Sequence, residues 1–312
     1  MSALLISCLL LIVATTLLTK GVVELRLRWL PLHSQARSAL SLSWLTFAPL
    51  MTGVLLAIAM LTTMFGKYWG LIADHCEEHG FGHPHLCLEH LTGTQTHFVQ
   101  ASLLAFVVTI LAWRLWPVVR RLRRQQNLQS RLVDIQEGPL CWLDSKQELA
   151  FVAGLHNPKV VISKALRQRL SKQTLRLVVA HEFQHIRNRD LVKMAGIELA
   201  LTFYSKTARR QLREAWLAAR EQRIDRQLAE RFGRAVVAES LVAMLTIKQE
   251  TLGMNHNGGS IEQRIHALLQ MDLERPHQQR LWRFASVLLV SASLLFMTAQ
   301  HHALETLIGW IN

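Results

Sequence analysis

Four long apolar stretches, Ser2 to Thr19, Trp44 to Phe65, Phe98 to Val119 and Phe284 to Leu304, constrain this chain more than any other feature. A helix that crosses the hydrocarbon core needs about 20 mostly apolar residues, because each rises about 1.5 Å through a layer ~30 Å thick. All four stretches meet that requirement. Arg114 falls near the end of the third, where a long side chain can snorkel to the interface. Pro49 and Gly53 in the second are tolerable in a membrane helix. Half of the 312 residues are hydrophobic, yet the formal net charge is +13. Apolar blocks with cations between them point to a polytopic membrane protein, not a soluble domain.

Loop charges set the orientation. The first connection carries Lys20, Arg26, Arg28 and Arg37 against Glu24 alone, whereas the second carries Lys67 with Asp74, Glu77, Glu78 and Glu89. Arginines follow the third span and precede the fourth (Arg275, Arg280, Arg283), and the tail beyond has no Lys or Arg. Every loop obeys the positive-inside rule if both termini lie outside. Trp44, Trp69, Trp113, Trp116 and Trp282 fall near span ends, as an aromatic belt requires. The first span has its charges after the apolar run, which favours a retained anchor over a cleaved signal. The cluster Arg120-Arg121-Leu122-Arg123-Arg124 directly follows a span, so it reads as a membrane-surface anchor and not as a direct nucleic-acid contact.

The expected organisation is therefore spans at 2–19, 44–65, 98–119 and 284–304, a cytoplasmic loop at 20–43 and an outside loop at 66–97. A large cytoplasmic domain follows at 120–283, and an outside tail at 305–312. Within the domain, Leu149 to Ala153 and Lys159 to Ser163 read as short strands, with Gly154 and Asn157-Pro158 turning between them. From Lys164 onward the pattern is helical, interrupted by Gly233 and a loop from Asn255 to Ser260. The fold class is predominantly α.

The chemistry lies in His181-Glu182-Phe183-Gln184-His185. Histidines at i and i+4 stand roughly 40° apart around a helix, so both imidazoles can reach one zinc ion. Glu182 lies close to the same face, where it can take a proton from an activated water. The alternative, two surface histidines on an ordinary helix, fits poorly with the apolar run Leu175 to Ala180 that precedes the motif. A catalytic zinc needs a third protein ligand. Glu221, with Asp225 one turn on, Glu214 and Glu198 all qualify on spacing. Asp225 would then hydrogen-bond a ligand histidine from outside. Tyr204, His256 and Arg264 are candidate oxyanion stabilisers.

The stretch Ala150 to Ser163, the HEFQH motif with Asp190 five residues on, and Glu221-Gln222-Arg223-Ile224-Asp225 together resemble the MecR/BlaR family of bacterial beta-lactam sensor-transducers. More distantly they resemble the HtpX and CAAX-prenyl endopeptidases, and Ser260 to Ile265 is similar to a segment that follows the zinc helices there. The resemblance implies a zincin-like domain of the gluzincin type, one catalytic Zn2+, and Glu221 as third ligand beside His181 and His185. It also implies a bacterial inner-membrane location, and an edge strand at Leu149 to Ala153 that binds peptide by strand addition. The implied partner, besides the lipid bilayer, is a cytoplasmic protein substrate such as a transcriptional repressor. Those sensors continue into an extracellular penicillin-binding domain. This sequence ends at Asn312, and the expectation is that beta-lactams are not sensed by that route.

The outside loop is rich in potential ligands: His75, Cys76, His79, His83, His85, Cys87 and His90. A Cys76–Cys87 disulfide and thiolate ligation of a periplasmic metal ion both stay open, and the histidines can bind metal in either case. Metal or pH sensed there would replace the missing sensor. Three functions compete: a signalling protease, an HtpX-like quality-control protease, and a non-catalytic metal-sensing receptor on a protease scaffold. Glu182 favours the enzymes, because a scaffold has no use for it.

Overall fold

The computed structural model describes residues 2–29, 39–71, 105, 109, 112–120, 123–124, 138–155, 157–252 and 258–269. The expected fourth span, the outside loop with Cys76, Cys87 and its histidines, and His256 lie outside the described residues. The chain forms two compact units, one holding α1 and α2 from Ser43 onward, the other holding the described residues from Arg114 to Leu269.

In the first unit, α1 (Ser2–Trp29) and α2 (Ala39–Tyr68) are each long and apolar enough to cross a bilayer, over Cys8–Trp29 and Leu42–Tyr68. α1 does not stop at Thr19. It runs through Lys20 and Glu24, which pair one turn apart at 3.6 Å, to Trp29. The charges that suggested a loop are thus spread along a continuing helix, where the backbone stays hydrogen-bonded. Gly53 sits against α1 so closely that a Cβ there would lie 2.5 Å from Thr16 Oγ1. Small residues of this kind let two membrane helices approach. The threonine hydroxyls mostly bond their own helix: Thr16 Oγ1 donates to Ile12 O (2.7 Å) and Thr63 Oγ1 to Ala59 O (2.9 Å). Thr52 Oγ1 reaches Thr19 Oγ1 at 3.3 Å on the other helix.

The second unit includes helical residues from Arg114 to Arg120, the end of α3 (112–120). A three-stranded sheet follows, made of β1 (Leu140–Leu143), β2 (Ala150–Ala153) and β3 (Lys159–Ser163) in the order β1-β3-β2. β2 and β3 form the expected antiparallel pair, with Phe151 opposite Val161. Gly154 turns between them at φ 101°, and a Cβ there would lie 2.3 Å from Asn157 O. β1 was not expected. It pairs in parallel with β3, Leu140 opposite Val160, a non-local partnership that four apolar residues do not announce.

Helices occupy the rest: α4 (Lys164–Arg169), α5 (Lys172–Arg187), α6 (Asp190–Leu201), α7 (Lys206–Phe232), α8 (Arg234–Leu252) and α9 (Gly258–Leu269). Their starts follow local chemistry. Ser163, Ser171 and Ser205 cap α4, α5 and α7 by accepting from Leu166 N, Thr174 N and Ala208 N. Gly233, at φ 90°, separates α7 from α8 as its sequence position suggests. α9 begins at Gly258, inside the stretch expected to be loop. Docking of Ile261 and Leu268 into the core outweighs the low helix propensity of two glycines.

α5 is the central element. Val178 packs with Val160, Ile162 and Leu166 against the sheet, joined by the partly buried Phe183 and Ile186. Leu177 joins Ile224, Leu228, Leu241, Ile261 and Leu268 from α7, α8 and α9. Each fully buried aliphatic side chain of this kind contributes about 1.5–3 kcal/mol. A helix clamped on both sides cannot roll, so the side chains on its remaining face are held in fixed directions.

Candidate metal centre

That face carries His181, Glu182 and His185. The two imidazoles lie 5.0 Å apart between centroids and nearly perpendicular, at 80°. Ligand atoms of His181, Glu182 and His185 all fall within 4.8 Å of one another. Across from them α7 presents Glu221. Its Oε2 is 3.2 Å from His181 Nε2, and its Oε1 is 3.7 Å from His185 Nε2.

The other ring nitrogens turn away from Glu221. His185 Nδ1 meets Asp190 Oδ2 at 2.9 Å, and His181 Nδ1 lies 3.6 Å from Asp225 Oδ1. A carboxylate at Nδ1 favours the tautomer that leaves the Nε2 lone pair free, the arrangement that zinc-ligating histidines use. Atoms bound tetrahedrally to zinc at about 2.0–2.1 Å lie roughly 3.4 Å apart. The two Nε2-to-Glu221 separations straddle that value, so this donor set fits a zinc ion. Glu214 and Glu198 do not compete for the place. Glu214 is exposed and pairs with Arg210 at 2.8 Å, and Glu198 faces Arg213.

The two glutamates are driven in opposite directions. Burial pushes the Glu182 carboxyl above its ordinary range, and the nearby histidines offset this only in part. Burial also raises Glu221. There the His181 hydrogen bond and charge, with Arg264 and Arg220, outweigh it and hold the carboxyl well below the usual range. Two carboxyls pushed apart in this way are suited to different tasks. Glu221 is favoured as an anion, while the Glu182 carboxyl holds its proton more readily than an ordinary glutamate.

Beyond the predicted residues, the structure brings in Asp190 and Arg223, to which sequence reasoning gave no role here, and it gives Arg264 a specific partner. Asp190 starts α6 directly after Arg189, whose left-handed backbone (φ 54°) folds the chain back so that its neighbour meets His185. Arg223 pairs with Asp190 Oδ1. Burial raises the Asp190 carboxyl, but the His185 and Arg223 hydrogen bonds and the Arg223 charge outweigh it, and the net direction is down. Arg264 binds Asp225 with two parallel bonds of 2.6 Å, from Nε and Nη2. That engagement places it behind Asp225, with Nη1 3.4 Å from Glu221 Oε2. Tyr204 is buried in the turn between α6 and α7. Gln184 and Asn188 on α5 both donate to Gln227 Oε1 on α7, at 2.8 and 3.1 Å, and tie the two site helices together.

No curated protein and no solved structure matches the chain. Residues 120–252 match the family model of peptidase family M48, a match that supports metallopeptidase function for the segment holding His181, Glu182, His185 and Glu221, and that, with two apolar helices ahead of it, suggests a membrane protein.

Proposed function

We propose that the chain is an integral membrane zinc endopeptidase of the gluzincin type, with His181, His185 and Glu221 as ligands and Glu182 as proton carrier. The observation that carries this reading is the convergence of both Nε2 atoms on Glu221, with a second carboxyl, Glu182, whose ligand atom lies within 4.8 Å of those of the histidines. When bound, zinc acts as a Lewis acid toward the scissile carbonyl and makes water nucleophilic near neutral pH. Glu182 accepts the proton that water loses as its oxygen bonds the carbonyl carbon. It then delivers that proton to the amide nitrogen as the carbon–nitrogen bond breaks. Asp190 and Asp225, at the Nδ1 atoms, would hold both imidazoles with Nε2 free for a bound ion.

The substrate we propose is a protein on the cytoplasmic side, presented as an extended segment. β2 pairs with β3 on one side only in the described sheet, which leaves its other edge for strand addition. The positive-inside pattern supports a cytoplasmic peptidase unit with both termini outside. The MecR/BlaR resemblance supports a repressor as substrate and an outside signal. A quality-control role would differ in accepting many damaged membrane proteins.

The test is zinc content together with casein cleavage and self-cleavage by the full-length protein in detergent, beside Glu182→Gln. The expected result is zinc in both, with the variant's rate lower by roughly 100- to 10,000-fold. Equal cleavage by both proteins would refute the assignment of Glu182, and a wild type without zinc would refute the metal site.

A further inference from the structure

His181 and His185 are each backed by an aspartate, and each aspartate by an arginine. One chain runs His185–Asp190–Arg223, the other His181–Asp225–Arg264. The two are not equivalent. Arg223 is 37% exposed at the rim, whereas Arg264 is 15% exposed and Asp225 only 2%. Arg264 also comes from α9, beyond residues 120–252 of the family match. Its third nitrogen, Nη1, stands 3.4 Å from Glu221 Oε2. One guanidinium thus touches the carboxylate behind His181 and the carboxylate expected to ligate the metal.

We propose that Arg264 is a positioning residue of the metal centre, fixing His181 through Asp225 and Glu221 directly. The inference rests on the zinc-site reading above. The planar fork of arginine presents two parallel N–H groups to one carboxylate, which sets the plane of the Asp225 carboxyl as well as its charge. His181 Nδ1 lies 3.6 Å from Asp225 Oδ1, so the orientation of that plane decides whether the ring nitrogen meets an acceptor squarely.

A simpler role, stapling α9 to α7, is already filled by the apolar contacts of Ile261 and Leu268 with Ile224 and Leu228. A buried ion pair adds little net stability over apolar packing, though losing one partner is costly. The placement of Arg264 therefore has more bearing on where Asp225 and Glu221 point than on whether α9 docks.

The experiment uses the full-length protein in detergent micelles and compares wild type with Arg264→Lys and Arg264→Gln. Three quantities are read: the rate of zinc release to a chelator, the visible absorption of the cobalt-loaded protein, and the melting temperature of the metal-free protein. Arg264→Lys keeps the positive charge but cannot form the fork. We expect Arg264→Gln to release zinc roughly 10- to 100-fold faster than wild type, as for other residues behind a metal ligand. Arg264→Lys should fall between, with a shifted cobalt spectrum and a metal-free melting temperature near that of wild type. Should Arg264→Gln fail to fold, Arg264→Lys decides alone. Wild-type release and spectrum in the folded variants would overturn the role of Arg264 while leaving the zinc site standing. Faster release seen only together with an equal loss of metal-free stability would overturn it too, in favour of a staple. A wild type that holds no zinc would remove the zinc-site reading and this inference with it.

Discussion

The α1–α2 pair and the α5–α7 pair both bury polar side chains between helices, but they satisfy them in opposite ways. On α1 and α2 the threonine hydroxyls mostly return to carbonyls of their own helix, and Gly53 brings the helices close. On α5 and α7 the polar groups bond across: His181 to Glu221, Gln184 and Asn188 to Gln227. Local satisfaction makes a helix self-sufficient, as a bilayer demands of every spanning segment. Satisfaction across helices makes each depend on the other's position, and that dependence holds the candidate ligand groups in place. The first pair specifies a distance, the second an arrangement of atoms.

Four measurements can break or sharpen this contrast. The largest effect should come from Ile224→Ala, which hollows the contact between α7 and its neighbours; we expect a loss of about 2–5 kcal/mol in denaturant unfolding of the peptidase unit. A smaller loss would mean that the polar bonds, and not apolar packing, hold α5 to α7. Asp190→Asn should weaken zinc binding roughly 10- to 100-fold by removing the charge behind His185, measured by chelator competition. Unchanged affinity would show that the cross-helix bonds do not tune the site.

The third measurement concerns the burial of Glu182. Its carboxyl is raised in the folded protein, so the native state binds a proton more readily than the unfolded one. Metal-free stability should therefore fall as pH rises from the ordinary carboxylate value through the raised one. Glu182→Gln should melt higher than wild type at neutral pH and lose that advantage in acid. A pH-independent difference would mean that the charge of Glu182 carries no penalty. The smallest effect should be Thr52→Val in the membrane pair, about 0.6 kcal/mol for a hydroxyl that already bonds Pro49 O within its own helix. A loss of several kcal/mol would erase the distinction between the two pairs.

What was readable in advance follows the same divide. Spacing within one helix carries information locally, so His181, Glu182 and His185 were plain in the sequence, as were β2, β3 and the break at Gly233. Contacts between distant elements were less plain. β1 is four residues whose partner lies across β2 in the chain, and no period marks it. Glu221 stood level with Glu214 and Glu198 until family resemblance separated it, because helical spacing does not say which face meets another helix. Asp190 was visible as part of a pattern but had no role until the left-handed turn at Arg189 brought it under His185. Arg264 was visible as a site candidate, but its bonds to Asp225 were not, since Asp225 lies on a different helix. The charges after Thr19 were read as the end of a span, and they do not show that the helix itself continues to Trp29.

Ser163 has a further consequence. Its single hydroxyl oxygen accepts from Leu149 N at 3.0 Å and from Leu166 N at 3.2 Å, so the entry to β2 and the first turn of α4 hang on one atom. A slip of β2 by one residue along β3 would take Leu149 N away from that oxygen, while Leu166 N, three residues on from Ser163 in the chain, would keep it. Such a slip would also carry any peptide lying along β2 about 3.3 Å relative to Glu182, nearly the length of one residue. If a substrate adds to β2 as proposed above, this hydroxyl, with the backbone bond from Ser163 N to Leu149 O, would help to set which residue of the peptide stands opposite Glu182.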